Sequence, residues 1–88
     1  MYSILVISGL VLVNCYLDQD YLAETAIRQI QGVLEVHRTH GVYDLVVKVQ
    51  AADEQQLQKV VKEIRSAHYV QSVLTNVIYR QDADTQAA

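Results

Sequence analysis

The residues best suited to chemistry in this 88-residue chain lie between positions 36 and 49. Gly41, one of only three glycines, is followed by an aromatic residue and a carboxylate, Tyr43 and Asp44, and then by an apolar run. Alternation of apolar and polar residues on both sides of a glycine is typical of a β-hairpin. The mouth of such a hairpin brings backbone N–H groups, a ring and an acid together. This combination favours capture of a small zwitterion over bond-breaking chemistry.

The other reactive side chains are few and scattered. Cys15, the single cysteine, has no histidine or basic residue beside it, so we expect a buried, reduced thiol rather than a nucleophile. His37, His40 and His68 lack the spacing of a known metal site, so we predict no metal and no cofactor. His40 remains a candidate for tuning a pocket, because an imidazole titrates near neutral pH. Since no nucleophile–base pair, phosphate loop or paired carboxylate is evident, we do not predict an enzyme.

Length and composition restrict the class of protein. A chain of 88 residues is one domain, and one so short gains stability from association. The hydrophobic fraction is 51% without Phe, Trp or Pro, which predicts an aliphatic core. The net charge is −3 and the seven basic residues are scattered, which disfavours direct contact with nucleic acid or an anionic membrane. The apolar first 17 residues fall short of the ~20 that a membrane-spanning helix needs. We therefore expect a cytoplasmic protein.

Apolar periodicity predicts the element order β-α-β-β-α-β. The predicted strands cover residues 4–15, 33–39, 42–50 and 70–79, and the predicted helices cover residues 19–31 and 54–66. We expect Gly9 to mark a bulge or bend in strand one, Asp18 or Asp20 to cap helix one, Gly32 to end it and Asp53 to cap helix two. The domain is predicted to span residues 1–80, with a disordered polar tail over residues 81–88.

Two similar halves indicate the fold. Ile27-Arg28 recurs as Ile64-Arg65 at the matching place in the second half, so the chain contains two related β-α-β units. Two such units form the α+β, ferredoxin-like βαββαβ architecture, a four-stranded antiparallel sheet with two helices on one face. Strands one and three, the most apolar, are central in that topology.

The uncovered face of this sheet predicts association. On strand three, Tyr43, Leu45, Val47 and Val49 alternate with Asp44, Val46 and Lys48; on strand one, Leu10 and Leu12 alternate with Val11 and Val13. Because two helices cover only one face, we expect Val11, Val13 and Val46, or their register partners, to lie exposed on the other. Such patches mark interfaces, so we predict a homodimer packed sheet on sheet.

Four segments match one family in order and spacing. They are residues 10–15 (LVLVNC), 30–37 (IQGVLEVH), 41–49 (GVYDLVVKV) and 70–75 (VQSVLT). Over about residues 10–78 the chain resembles the effector domain of the Lrp/AsnC regulators, also called the RAM domain. The resemblance implies a ferredoxin-like dimeric αβ domain whose dimers assemble further. It also implies binding of amino acids or similar metabolites in clefts between dimers.

The resemblance carries over to five residues. Gly41 matches the ligand-loop glycine, and it is also the hairpin residue expected to need a positive φ. Tyr43 and Asp44 match the aromatic residue and the acid, which would pair with a ligand's α-ammonium. Ser72 and Thr75 match polar positions of strand four that face a neighbouring dimer's cleft. The structural alternatives are a core tyrosine, a solvated aspartate and an edge strand in water.

The chain also departs from the family pattern. Strand one begins almost at Met1, which leaves no room for a helix-turn-helix domain and predicts a stand-alone effector domain without DNA binding. The segments 16–19 and 66–69 lack the glycines that the family carries there. The expected function is amino-acid sensing through oligomer interfaces, with a full-length regulator of the same family as a possible partner. The alternatives are a small dimeric αβ-barrel enzyme of monooxygenase or isomerase type, or an assembly module without a ligand.

Overall fold

The computed structural model describes the backbone of residues 5–82 and the side chains of residues 6–74. Its elements are β1 (Leu5–Cys15), α1 (Asp20–Arg28), β2 (Val33–Arg38), β3 (Leu45–Ala51), α2 (Glu54–Arg65) and β4 (Val70–Asp82). The strands form one antiparallel sheet in the order β2-β3-β1-β4. The predicted ferredoxin-like α+β fold is therefore confirmed, with β1 and β3 at its centre.

The two ends of the chain differ from the prediction or lie outside the described residues. β4 continues through Gln81 and Asp82, which pair with Val6 and Leu5 and so do not belong to a tail. The rest of the predicted tail, residues 83–88, and Ile4 at the predicted start of strand one lie outside the described residues.

The core is aliphatic, as the composition predicts. Both central strands contribute side chains that are fully buried against the helices, namely Val11, Val13, Leu45, Val47 and Val49. α2 contributes an apolar stripe of Leu57, Val60, Val61 and Ile64 at helical spacing, whereas α1 contributes Ala23 and Ile27. Leu22 of α1 is 43% exposed.

The register of β1 corrects the predicted assignment of its faces. Val11 pairs with Val47 and Leu12 pairs with Val46. Since paired residues of neighbouring strands point to the same face, Val11 joins the buried side with Val47. Leu10, Leu12 and Val46 therefore lie on the open face, and the prediction that Val11 and Val13 would be uncovered is wrong.

The predicted bulge at Gly9 is also wrong. Gly9 pairs regularly with Val49 on one side and Ile78 on the other. The irregularities in the pairing of β1 with β4 fall later, between Leu12 and Val13 and between Asn14 and Cys15. Such irregularities increase local twist and re-aim side chains, and here they do so at the end of β1.

α1 is shorter than predicted and is capped differently. Its N-cap is Gln19, which makes no side-chain capping bond, so neither Asp18 nor Asp20 takes that role. The helix ends at Arg28 and continues into tight turns through Ile30. Gly32 follows these turns, so it does not cap the helix as predicted.

Gly32 is required for packing instead. Its φ of +101° is a conformation that residues with a Cβ rarely adopt. A Cβ at this position would also lie 2.7 Å from Val60 Cγ2. The turn after α1 can therefore approach α2 closely only because residue 32 is glycine.

The start of α2 agrees with the prediction. Asp53 is the N-cap, and its Oδ1 accepts a hydrogen bond of 2.8 Å from the backbone N–H of Gln56. This bond satisfies one of the N–H groups that the first helical turn leaves without a partner. The helix ends at Arg65, one residue before the predicted end.

Candidate ligand-binding site

The loop between β2 and β3 carries the predicted site residues and is longer than predicted. β3 begins at Leu45, so Val42, Tyr43 and Asp44 belong to the loop rather than to the strand. Thr39 closes this loop: its N–H donates to the Asp44 carbonyl at 2.9 Å and its hydroxyl donates to the Tyr43 carbonyl. Thr39 is a positioning residue that the sequence analysis did not identify.

The tip of this loop is open to solvent. Gly41 has a φ of +144°, which confirms the predicted positive φ, and no atom lies within 4 Å of a Cβ built on it. His40 is exposed and Val42 is 79% exposed, whereas Tyr43 is half-buried. Glycine is therefore needed at position 41 for backbone conformation, and the space beside it is open to a ligand.

Asp44 is anchored to the end of β1. Its N–H donates to the Val13 carbonyl at 2.9 Å and to Asn14 Oδ1 at 3.1 Å. Its Oδ2 accepts a hydrogen bond of 2.7 Å from the N–H of Cys15. Within residues 6–74, no donor is bonded to the other oxygen, Oδ1. One carboxylate oxygen thus holds Asp44 in place, and the second oxygen is available to accept a hydrogen bond from a ligand.

Asp44 lines a cleft of about 240 Å³ with the loop that follows β1. The other lining residues are Cys15, Tyr16, Leu17, Asp18 and Asp20. Three of the lining residues carry a carboxylate, and no lining residue is basic. The electrostatic potential of the cleft therefore favours a cationic group such as an ammonium.

Cys15 is a buried residue of the cleft lining and carries a neutral thiol. Burial and then the nearby charges of Asp44 and Asp20 raise the pKa of Cys15 to about 11. Because the thiolate is the nucleophilic form, this environment opposes covalent catalysis at neutral pH. The predicted role of Cys15 as a small buried hydrophobe is confirmed.

The structure brings some of the other predicted residues to the same place. Ser72 of β4 pairs with Asn14 of β1, and the Asn14 side chain accepts from Asp44. Asn14 of β1, Ser72 of β4 and Asp44, the last loop residue before β3, thus lie side by side at one end of the sheet. Thr75 pairs with Leu12, farther along β1, and its side chain lies outside the described part of the chain.

Asn14 was not identified from the sequence. The available signal was a single polar amide at the end of an otherwise apolar strand. The amide accepts from the Asp44 N–H because the loop between β2 and β3 returns to the end of β1, which sequence spacing alone does not indicate.

Two non-glycine residues with positive φ border the site. Asp18 has a φ of 63° and Tyr69 has a φ of 76°. They lie in the two segments where the expected glycines are missing, so the turns keep a left-handed residue without glycine. The carbonyl of Tyr69 accepts from the N–H of Tyr16 at 3.1 Å, which joins the segment before β4 to the cleft loop.

Exposed apolar side chains lie at this end of the sheet, and two of them, Tyr16 and Leu17, line the cleft. Leu17 in the loop after β1 is 87% exposed, and Tyr16 and Tyr21 are also exposed. Tyr21 lies in the first turn of α1, and Val42 on the loop between β2 and β3 adds apolar surface at the same end of the sheet. Clustered apolar exposure of this kind is typical of interaction surfaces.

The described residues contain no group of three or more His, Cys, Asp or Glu side chains arranged to hold a metal ion. Among them, no helix is both long and apolar enough to cross a membrane.

Comparisons with known proteins agree with this geometry. A hypothetical protein from Pyrococcus horikoshii matches with a TM-score of 0.78 and 19% identity, over 93% of this chain and 99% of that one. AsnC from E. coli matches with a TM-score of 0.74 and 20% identity, over 83% of this chain and 50% of that one. At these identities the two likenesses establish the fold alone.

Sequence comparison gives two further matches. Homocitrate synthase from Saccharolobus islandicus is 35% identical over 78 residues, which are 85% of this chain but only 16% of the enzyme. The chain therefore spans about a sixth of the length of such curated relatives. The sequence model of the Lrp/AsnC ligand binding domain matches residues 10–87. The chain belongs to the Lrp/AsnC ligand-binding domain family.

Proposed function

We propose that this chain is an effector-binding domain that senses an amino acid at the cleft beside Asp44. The observation that carries the proposal is the state of the Asp44 carboxylate. Its Oδ2 is fixed by the Cys15 N–H, and its Oδ1 has no donor among residues 6–74. An oriented carboxylate with one acceptor to spare is suited to a ligand's α-ammonium.

The surroundings of Asp44 support both ends of a zwitterion. Asp18 and Asp20 line the same cleft and add attraction for the ammonium. Gly41, on the adjacent loop, leaves open space where a ligand carboxylate can approach backbone N–H groups. In this proposal Tyr43 and His40 flank the ligand on that loop, and Ser72 and Thr75 contribute from β4.

We propose further that the domain acts as a homodimer packed through the open face of the sheet. Leu10, Leu12 and Val46 lie on this face, and Leu10 is 37% exposed in the single chain. Lys48 of β3 lies between Leu10 and Glu35 in the register, and on the edge strand β2 the Glu35 carboxylate accepts from His37 Nε2 at 2.8 Å. Apolar side chains with charged groups beside them are typical of a specific protein interface.

The apolar surface around the cleft supports a second contact, between dimers. Leu17 and Val42 are too exposed to contribute much to a single chain, and they lie on loops at the same end of the sheet. A neighbouring dimer seated there would cover both residues and close the cleft. Ligand occupancy would then shift assembly, or contact with a partner such as a full-length regulator of the family.

The comparisons support a regulatory role rather than a catalytic one. The match to homocitrate synthase covers only 16% of that enzyme and assigns no activity to this chain. In this proposal the domain reads a metabolite without contacting nucleic acid itself, in keeping with its net charge of −3 and scattered basic residues. A cytoplasmic location belongs to the same proposal.

Substitution of Asp44 by asparagine tests the site. Asp44→Asn keeps an oxygen for the Cys15 N–H but removes the charge. We expect amino-acid affinity to fall by about 1.5–3 kcal/mol, the usual contribution of a hydrogen bond to a charged group. Isothermal titration calorimetry with the best-binding amino acid measures this loss.

The control is Asp18→Asn, which removes one charge from the same cleft without touching the anchored carboxylate. Asp18→Asn should lower the amino-acid affinity less than Asp44→Asn does if the ammonium contacts Asp44 directly. Equal losses would indicate a general field effect, and an unchanged affinity in Asp44→Asn would remove this residue from the site.

A further inference from the structure

A second and larger cavity lies at the opposite end of the sheet from Asp44. It has a volume of about 390 Å³ and is bordered by the turn after α1, the end of β3 and one face of α2. Ala51, on its border, pairs with Ile7 near the start of β1, whereas the Asp44 cleft lies where β1 ends at Cys15. We call this cavity the amide groove; its polar lining residues are Gln31, Gln50, Gln56, Lys59 and Glu63.

The backbone builds the groove from small residues. Gly32, Ala51 and Ala52 form one wall, so space remains beside the backbone. The Gln50 N–H donates to the Gly32 carbonyl at 2.8 Å, which fixes the turn after α1 against β3. On the α2 side, buried Val60 packs against Gly32 and forms the floor. The concavity is therefore part of the packed fold.

The polar groups around this floor are not paired with each other. Among residues 6–74, neither Lys59 nor Glu63 forms a salt bridge, although they lie one helical turn apart. A lysine that precedes a glutamate by four residues is the weaker order for such a pair. The groove thus presents one cation and one anion, side by side, on the same face of α2.

Gln31 and Gln56 add neutral donors and acceptors. Gln50 borders the groove with its backbone, because its side chain lies on the open face of the sheet, where its amide nitrogen donates to Ser8 Oγ at 3.3 Å. Gln31 and Gln56 make no side-chain hydrogen bond within the described part of the chain. Binding sites orient polar ligands with a small number of such groups around a concave surface.

We propose that the amide groove is a second binding site, for a polar α-amino acid. The ligand carboxylate pairs with Lys59 Nζ and its ammonium pairs with the Glu63 carboxylate. The Gln31 and Gln56 amides bond to a polar ligand side chain. This site differs from the Asp44 cleft in its position and in its charge, since it offers both a cation and an anion.

Nuclear magnetic resonance titration of the ¹⁵N-labelled chain with L-glutamine tests the proposal. We expect shifts at the amides of Gly32, Ala51 and Ala52, with a dissociation constant in the millimolar range or below, at about 10 mM ligand. Lys59→Gln and Glu63→Gln should each weaken binding by about tenfold or more, because each removes one charged partner. Lys62→Gln is the matched control, since Lys62 lies on α2 outside the groove, and it should leave affinity unchanged.

Analogues that lack one charge sharpen the test. An analogue without the carboxylate should bind the wild type more weakly than L-glutamine does, but should bind Lys59→Gln no more weakly than L-glutamine does. An analogue without the ammonium should show the same pattern in the wild type and in Glu63→Gln. The absence of shifts at the groove, or equal affinity in both variants and the wild type, would overturn the proposal. Asp44→Asn separates the two sites, because it should leave the groove shifts intact whether or not the Asp44 cleft binds an amino acid.

Discussion

At the scale of the residue, Asp44 combines a structural and a proposed ligand role. One oxygen holds the end of β1 through the Cys15 N–H, and the other is the proposed partner of an ammonium. The sequence indicated the acid because of its place after Gly41 and Tyr43. It did not indicate the anchoring, because Asn14 and Cys15 are distant in sequence and meet Asp44 only across the sheet.

The raised pKa of Cys15 predicts a pH dependence of stability. The pKa of about 11 lies above the ordinary value of 9.0, because burial and the charges of Asp44 and Asp20 disfavour the thiolate. The contribution of the neutral Cys15 thiol to the free energy of unfolding is therefore fully present below about pH 9 and is lost as pH rises through about 11. Urea unfolding of the wild type across this range should show a steeper loss of stability than in Cys15→Ala.

The comparison with Cys15→Ala removes the effects of the ionisable groups that the two proteins share. Parallel pH profiles for the two proteins would contradict a thiol held neutral by the fold.

At the scale of the element, the turns at Asp18 and Tyr69 keep left-handed residues without glycine. An L-residue in this conformation costs about 1–2 kcal/mol, although aspartate tolerates it better than a bulky residue does. Tyr69 therefore carries the larger cost, at the turn whose carbonyl accepts from Tyr16. The expected glycines are absent from these two turns, but Asp18 and Tyr69 adopt the positive φ that a glycine would adopt there.

A pair of substitutions at Tyr69 isolates this cost. Tyr69→Ala and Tyr69→Gly both remove the ring, but only glycine relieves the left-handed conformation. We expect the glycine variant to be more stable than the alanine variant by about 1 kcal/mol in chemical denaturation. At a position with an ordinary φ the order is reversed, so a less stable glycine variant would rule out the strain.

The elements themselves were largely predictable, and the errors share a cause. Asp53 and the α2 stripe follow from local patterns, because capping and helical spacing involve neighbours in sequence. The face of Val11, the regular pairing of Gly9 and the late start of β3 depend on which residues meet across strands. Alternation in one strand gives two faces but does not indicate which of them the helices cover.

At the scale of the whole molecule, the sheet has one face under the helices and one proposed to meet a second copy. A charge on the open face should therefore disrupt association. We expect Leu10→Lys to shift a dimer to a monomer in sedimentation velocity, because a buried unpaired lysine is strongly disfavoured in an interface.

Leu22→Lys is the matched control for this prediction. Leu22 is 43% exposed and Leu10 is 37% exposed, but Leu22 lies on α1, away from the open face. The control should leave the dimer intact. A Leu10→Lys chain that sediments as the wild-type dimer would place the interface elsewhere.

The central claim is that this domain binds an amino acid, and a thermal-shift screen of the twenty amino acids tests it most directly. A ligand that binds only the folded state at a hundred times its dissociation constant stabilises it by about 2.7 kcal/mol, which moves the melting temperature of a domain this small by several degrees. We predict such a rise with at least one amino acid, reduced in Asp44→Asn. An unchanged melting temperature with all twenty, at millimolar concentrations, would contradict the sensor assignment.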